Sequence, residues 1–173
     1  VARVLGPLTP QQFRARLPGL APLLADSVDG GASVGFLAPF DTEAAERWWR
    51  QQGAEIDSGT QQVWVAEDER GVVGTVVLHR APKANAVHRG EIRKLLVHRD
   101  ARGAGLGREL LAAARNHAAA TGLTLLLLDT ATGSPAEELY RRDGWTPYGV
   151  VPDFARDPAG TLEDCTFFYR RLP

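Results

Sequence analysis

Apolar residues recur along this chain at two spacings, and the spacing changes where one expected element gives way to the next. Residues 1–5 are short and apolar and predict a first strand. Thr9-Pro10-Gln11-Gln12 reads as a helix start, because threonine caps well and proline is tolerated in the first turn. Phe13, Leu17, Leu20, Leu23 and Leu24 give that helix an apolar face, with a break or kink expected at Pro18-Gly19. Residues 30–36, Gly-Gly-Ala-Ser-Val-Gly-Phe, read as a loop. Asp41 or Thr42 caps a second helix through Gln52 that carries Ala45, Trp48 and Trp49. Residues 61–67 and 72–79 predict two strands joined at Asp68-Glu69-Arg70-Gly71. Residues 86–97 form a third long extended segment.

Helical spacing returns with Leu106, Leu110, Leu111, Ala114 and Ala118, through about Thr121. Residues 123–128, Leu-Thr-Leu-Leu-Leu-Leu, lack alternation, which suits a strand buried on both faces. Strand, helix and buried strand make a parallel unit with a right-handed crossover. Ser134-Pro135-Ala136-Glu137 predicts a capping box at the next helix, and Gly144 its stop. Residues 145–151 and 166–171 read as closing strands, with residues 152–164 as the loop between them. The expectation is a single α/β (α+β) domain over residues 1–173. Its mixed sheet is mostly antiparallel, with one parallel strand–helix–strand unit and helices on both faces.

Composition narrows the partners. Lys+Arg 20 against Asp+Glu 21 leaves a net charge of -1, which argues against a nucleic-acid partner held by bulk charge. One cysteine, Cys165, supports neither an internal disulfide nor a zinc framework, so no metal is expected and the residue reads as a small apolar filler. That usage fits a reducing cytoplasmic setting. Arg3 and Pro7 interrupt the N-terminal residues before any signal-peptide core. No stretch approaches the roughly 20 apolar residues of a membrane span. Monomer and homodimer both stay open.

Gly103, Gly105 and Gly107 stand where a helix begins, although glycine costs about 1 kcal/mol against alanine inside one. Helix N-termini expose unpaired amides and about half a positive charge. Bare backbone lets phosphate oxygens come close, and Arg102 and Arg108 add charge. Arg102, Gly103, Ala104, Gly105, Leu106, Gly107 and Arg108 therefore read as a diphosphate cradle, against a plain glycine-rich turn. The Walker pattern fails because Arg108 stands in the lysine's place, and the dinucleotide pattern fails because the third glycine comes one residue early.

Arg102-Gly103-Ala104-Gly105-Leu106-Gly107 resembles the Q/R-x-x-G-x-G/A signature of the GNAT superfamily of N-acetyltransferases. Ala136-Glu137-Glu138-Leu139-Tyr140-Arg141-Arg142-Asp143-Gly144-Trp145 is similar to that family's later A-x-x-L/F-Y-x-x-x-G-F/W helix. The resemblance implies the GNAT fold, with acetyl-CoA as co-substrate and its pyrophosphate on the Gly103–Arg108 amides. It also implies that the pantetheine arm pairs with Leu95, Leu96 and Val97. Many members carry an asparagine where this chain has Gly133, and Ser134 would partly replace that contact. A closer resemblance, to the tabtoxin-resistance acetyltransferases, rests on residues 30–36, Glu91 before Lys94-Leu95, Leu128-Asp129-Thr130, Val151-Pro152 and Pro158-Ala159-Gly160. It implies catalytic positions at Glu91, Asp129 and Tyr140.

The chemistry of those three types suits amine acetylation. An alkyl ammonium with a pKa near 10.4 must lose a proton before it attacks, and Glu91 is the first candidate base, directly or through water. Its alternative is a surface pairing with Arg89 or Arg93. Asp129, at the end of the leucine run, would hold the ammonium or orient a water, or else cap residues 130–133. Tyr140 would protonate the departing sulfur, or simply fill the core; a backbone amide near Leu96 or Val97 would stabilise the oxyanion. His79, His88, His98 and His117 show no ligand spacing, with His88 the reserve base. Trp48, Trp49 and Trp64 read as core before cleft. Residues 30–31 would hinge a closing loop or form a plain turn. Asp153, Asp157, Glu163 and Asp164 would attract a cationic amine or lie in a solvated loop. The expected function is direct transfer of an acetyl group from acetyl-CoA to a primary amine of a small molecule, a toxin or antibiotic among the candidates. Acetylation of a protein or peptide amine is the second reading, and a non-catalytic acyl-CoA sensor the third.

Overall fold

A computed structural model describes every residue from Val1 to Pro173. Its elements are β1 (Arg3–Leu5), α1 (Pro10–Asp29), α2 (Thr42–Gln51), α3 (Gly53–Asp57), β2 (Gln61–Asp68), β3 (Gly71–Arg80), β4 (Arg89–Val97), α4 (Leu106–Ala120), β5 (Leu125–Ala131), α5 (Pro135–Arg142), β6 (Thr146–Arg156) and β7 (Leu162–Arg171). All seven strands share one sheet in the order β1-β2-β3-β4-β5-β7-β6. Only β4 and β5 run parallel. The mixed sheet with one parallel unit is therefore the observed fold. No helix is long and apolar enough to cross a membrane.

Each face of the sheet has its own core. On one face α4 and α5 bring Leu106, Leu110, Leu111 and Tyr140 against Ile92, Leu126, Leu128 and Phe168. On the other, α1 to α3 bring Phe13, Leu17, Leu20, Leu24, Trp49 and Ile56 against Val63, Val65, Val77 and Leu96. Gly74 permits the first contact: a Cβ there would lie 2.9 Å from Leu110 Cδ1.

Four local expectations change. α1 runs unbroken through Pro18 and Pro22. Both prolines are exposed, so water can take the freed carbonyls, while the helix buries Phe13, Leu17, Leu20, Leu23 and Leu24. β5 is buried on one face: Leu126 and Leu128 are enclosed and Leu125 and Leu127 only partly so, because no helix covers the second face there. At α5, Ser134 Oγ accepts from the Glu137 amide at 3.2 Å, but the Glu137 carboxylate reaches the Gly133 amide instead of closing a box on Ser134. Finally, residues 152–164 are mostly strand. β6 and β7 form a long hairpin whose register shifts between Val151 and Ala155, where Asp153 has φ 52°. That bulge breaks the alternation by which the strand would have been read.

Candidate active site

The parallel pairing of β4 and β5 lasts three rungs, Arg89 with Leu125, Gly90 with Leu126 and Glu91 with Leu127. Beyond Glu91 the strands pair only with their outer neighbours, β4 with β3 and β5 with β7. The sheet thus opens into a gap, and Glu91 stands at its vertex.

A bulge re-aims β4 along that gap. Arg93 faces Val77 and Leu96 faces Thr75, so Lys94 and Leu95 together oppose Val76. Lys94 takes φ 49°, a left-handed conformation unusual for a side chain other than glycine or asparagine. The His98 amide donates to Val73 O at 2.8 Å. Strand alternation therefore turns the Leu96 backbone towards β3 and the Val97 backbone into the gap. The Val97 carbonyl already accepts from Arg102 Nε at 3.0 Å. Of the three positions expected to pair with a ligand arm, Val97 turns into the gap, Leu96 is engaged with β3 and Leu95 belongs to the bulge.

The gap leads to the glycines. Gly103 and Gly105 both have φ 82°, and a methyl group built on either would meet no atom of the chain within 4 Å. Gly105 is the N-cap of α4 and offers no side chain to its first turn. The amides of Gly103, Ala104, Gly105, Leu106 and Gly107 donate to nothing within the chain; the first bonds of the helix are Arg108 N and Glu109 N to Gly105 O, at 3.0 and 3.1 Å. Five unpartnered donors beside a helix dipole, with the exposed Arg102 and Arg108 at either end, suit a diphosphate. Ser134 is less free than its sequence position implies, because its hydroxyl caps α5 and lies 3.2 Å from Thr130 Oγ1.

Glu91, Arg93, Leu127 and Asp129 point to the α1–α3 face, since Gly90, Ile92, Leu126 and Leu128 take the other. Glu91 is partly exposed and its carboxylate pairs with Arg93 Nη2 at 2.6 Å. Asp129 accepts from the Cys165 thiol at 3.3 Å, and that thiol also lies 3.1 Å from the Thr130 carbonyl. Burial, and then the negative Asp129, push Cys165 up to about 12, so the only thiol stays protonated. Tyr140 comes from the opposite face, packed against Trp145 and Phe168. Burial first, and the charge of Asp129 second, raise its phenol well above the ordinary value. Its hydroxyl makes no hydrogen bond within the chain yet is not sealed off. Asp129 lies close enough for its charge to act on Tyr140 from one side, and it shares the neighbourhood of Lys94 with Glu91.

Sequence reasoning passed over part of this wall. Lys94 Nζ donates to Val34 O at 2.8 Å and sits 5.4 Å from the Phe36 ring centre and 5.0 Å from that of Trp48. Burial chiefly, with Arg93 beside it, holds the Lys94 ammonium below its usual range, while Asp129 and Glu91 pull the other way. The Ala38 amide donates to Pro158 O at 2.8 Å. The loop between α1 and α2 is therefore tied to β4 and to the β6–β7 turn. The one signal in the sequence was a lysine among strand residues next to Glu91.

Other candidates fall elsewhere. Trp49 and Trp64 are core, and only Trp48 reaches the opening. His117 packs on Trp64, His98 accepts from the Asp100 amide, and His88 precedes the first parallel rung. Asp164 and Asp157 bind the amides of Asp153 and Thr161, so two members of the acidic group serve their own hairpin.

Fold and site together define an α/β protein whose sheet opens between β4 and β5 beside a helix start with five unpartnered amides. Residues 59–147, just over half the chain, match the model of the acetyltransferase (GNAT) domain, and the chain belongs to that family. An IAA acetyltransferase of Azospirillum brasilense is 36% identical over 70 residues, which are 40% of this chain and 46% of that protein. The match thus spans less than half the length of that curated relative. A ribosomal-protein-alanine N-acetyltransferase from Brucella melitensis superposes with a TM-score of 0.77 at 25% identity over 99% of both chains. A phosphinothricin acetyltransferase from Sinorhizobium meliloti, solved with acetyl-CoA, gives 0.75 at 21% identity, over 99% of this chain and 88% of that one. At that identity the likeness is one of fold.

Proposed function

We propose that this protein moves the acetyl group of acetyl-CoA directly to a primary amine of a small molecule. The observation that carries the reading is the continuity between the opened sheet beyond Glu91 and the five free amides of Gly103–Gly107. Those amides, with Arg102 and Arg108, would hold the diphosphate, and the backbone of Leu95 and Val97 would hold the arm that follows it. Bound there, acetyl-CoA supplies an acyl group already activated as a thioester. Asp129 draws the acceptor ammonium to the opening, and Glu91 takes its proton directly or through a water. The nitrogen lone pair then forms the C–N bond as the C–S bond breaks, and the nitrogen gives up its second proton through a water to the solvent that restores Tyr140. Tyr140 donates its phenolic hydrogen to the departing sulfur.

Two further features support this form of the reaction. Cys165 is held protonated, so it offers no nucleophile for an acetyl-enzyme. The loop between α1 and α2, fastened at Val34 and Ala38, narrows the acceptor side and favours a small molecule over a folded protein. The retention of Glu91, Asp129 and Tyr140 speaks against a sensor that has lost its chemistry. The resemblance of residues 30–36, Glu91 and Asp129 to tabtoxin-resistance enzymes makes β-lactam dipeptides acceptors to try, and the lone thiol suits a cytoplasmic setting. Free-thiol release from acetyl-CoA in the presence of an amine panel tests the reading; the panel holds β-lactam dipeptides, aminoglycosides, polyamines and histone peptides. Release with one of the small amines is expected. Heat on injecting CoA with no release from any amine would leave a binding protein, and no heat at all would remove the cradle.

A further inference from the structure

We infer that the Glu91–Arg93 ion pair is a latch on the candidate base, opened most readily by an acceptor that brings its own anion next to the amine. The inference rests on acetyl transfer at this opening and adds the chemical class of the acceptor and a residue that selects it.

Arg89, Glu91 and Arg93 alternate along β4 and so share one face. With His79 and Leu127 they line a shallow basin at the vertex of the gap. Glu91 is the only carboxylate in that basin, and Arg93 already holds it at 2.6 Å. In that state the base is occupied by a cation that carries no transferable amine. Arg89, half-buried, forms neither a hydrogen bond through its side chain nor an ion pair within the chain, so one guanidinium stands without a counter-charge. The neighbouring carboxylate, Glu55, is turned to His79 Nε2 at 3.5 Å. Lys94 is held by Val34 and two aromatic rings and so does not compete for Glu91. A basin with two arginines and one carboxylate repels a bare cation and attracts an anion.

An acceptor with an ammonium and a carboxylate, phosphinate or phosphonate a few bonds apart satisfies both demands at once. Its anion takes the Arg93 guanidinium, with Arg89 as the second donor, in the paired geometry that arginine offers such groups. The freed Glu91 carboxylate then receives the ammonium, with Asp129 across the gap. A pair as exposed as Glu91–Arg93 is weakly held, so the exchange is easy. The ammonium proton passes to Glu91 and no other bond changes until the nitrogen attacks.

Thiol release is to be followed with matched acceptors: L-amino acids, their methyl esters and their aminophosphonate analogues. Wild-type protein should favour the anionic members by about 10–100-fold in kcat/KM. Arg93→Gln should erase that preference by slowing the anionic acceptors while leaving the esters as fast or faster, and Arg89→Gln should raise KM for the anionic acceptors alone. CoA binding, read by calorimetry, should be the same in all three proteins. Equal turnover of acids and esters by wild type, or equal loss of both in Arg93→Gln with CoA binding intact, overturns the latch. A preference for carboxylate over phosphonate, or the reverse, identifies the anion. Failure of acetyl transfer itself would look different, as absence of release from every amine in every variant, and the latch would fall with it.

Discussion

Asp129 acts on two neighbours at once. It accepts from the Cys165 thiol, and its charge reaches Tyr140. Both groups are kept neutral by burial first and by Asp129 second. The sign for the thiol is clear: the fold favours its protonated form, so stability from this group is complete below the ordinary value of 9.0 and is lost as pH rises towards about 12. Native protein should therefore resist alkylation of Cys165 at pH 9, and Asp129→Asn should speed it; equal labelling rates in the two proteins, read by mass spectrometry, would contradict this coupling. Tyr140→Phe keeps the packing against Trp145 and Phe168 and removes only the hydroxyl. It should lower kcat by about 100-fold or more while calorimetry shows unchanged CoA affinity. Candidate residue types for a base, an ammonium holder and an acid were legible in the sequence at Glu91, Asp129 and Tyr140. Of their partners, only Arg93 was among the sequence alternatives for Glu91; the thiol on Asp129 and the Lys94 tie depend on which face each strand presents.

At the scale of elements, α1 shows burial outweighing propensity. Pro18 is exposed and cannot donate the amide bond that Arg14 would receive at that place in a regular helix. Pro18→Ala should restore that bond and stabilise the protein by about 2 kcal/mol, within the roughly 3 kcal/mol cost of a helix-interior proline. Thermal unfolding checks it, and an unchanged or lower Tm would show that the chain has adapted to the proline. The start of α4 shows the opposite balance, where backbone freedom is kept for a ligand. Gly105→Ala places a Cβ at φ 82°, a strain of about 1–2 kcal/mol, in space the chain leaves open. CoA affinity should fall at least tenfold, to be read by calorimetry, with a loss of only a few degrees in Tm. Helices with caps and long apolar faces were readable in the sequence; the end of β6 was not, because its bulge at residues 151–155 destroys the two-residue period.

For the molecule as a whole, the two cores leave the gap between β4 and β5 as the place where the fold is incomplete. A ligand that fills it should bind only the folded chain. CoA at a hundredfold its Kd should therefore add about 2.7 kcal/mol of stability and raise Tm by several degrees. A thermal scan with and without CoA measures this, and coincident curves would place the ligand elsewhere. The sequence by itself determined the order of the strands and of every helix but the five-residue α3, the parallel unit and the glycine-rich start of α4, because periodicity, caps and glycine positions are local properties of the chain. Only the tertiary structure decided where the sheet splits, that the Leu96 backbone turns away from the gap while Val97 faces it, and that Glu91 rests against Arg93. Those outcomes follow from register, and register is set by pairing residues distant in sequence, which no local pattern encodes.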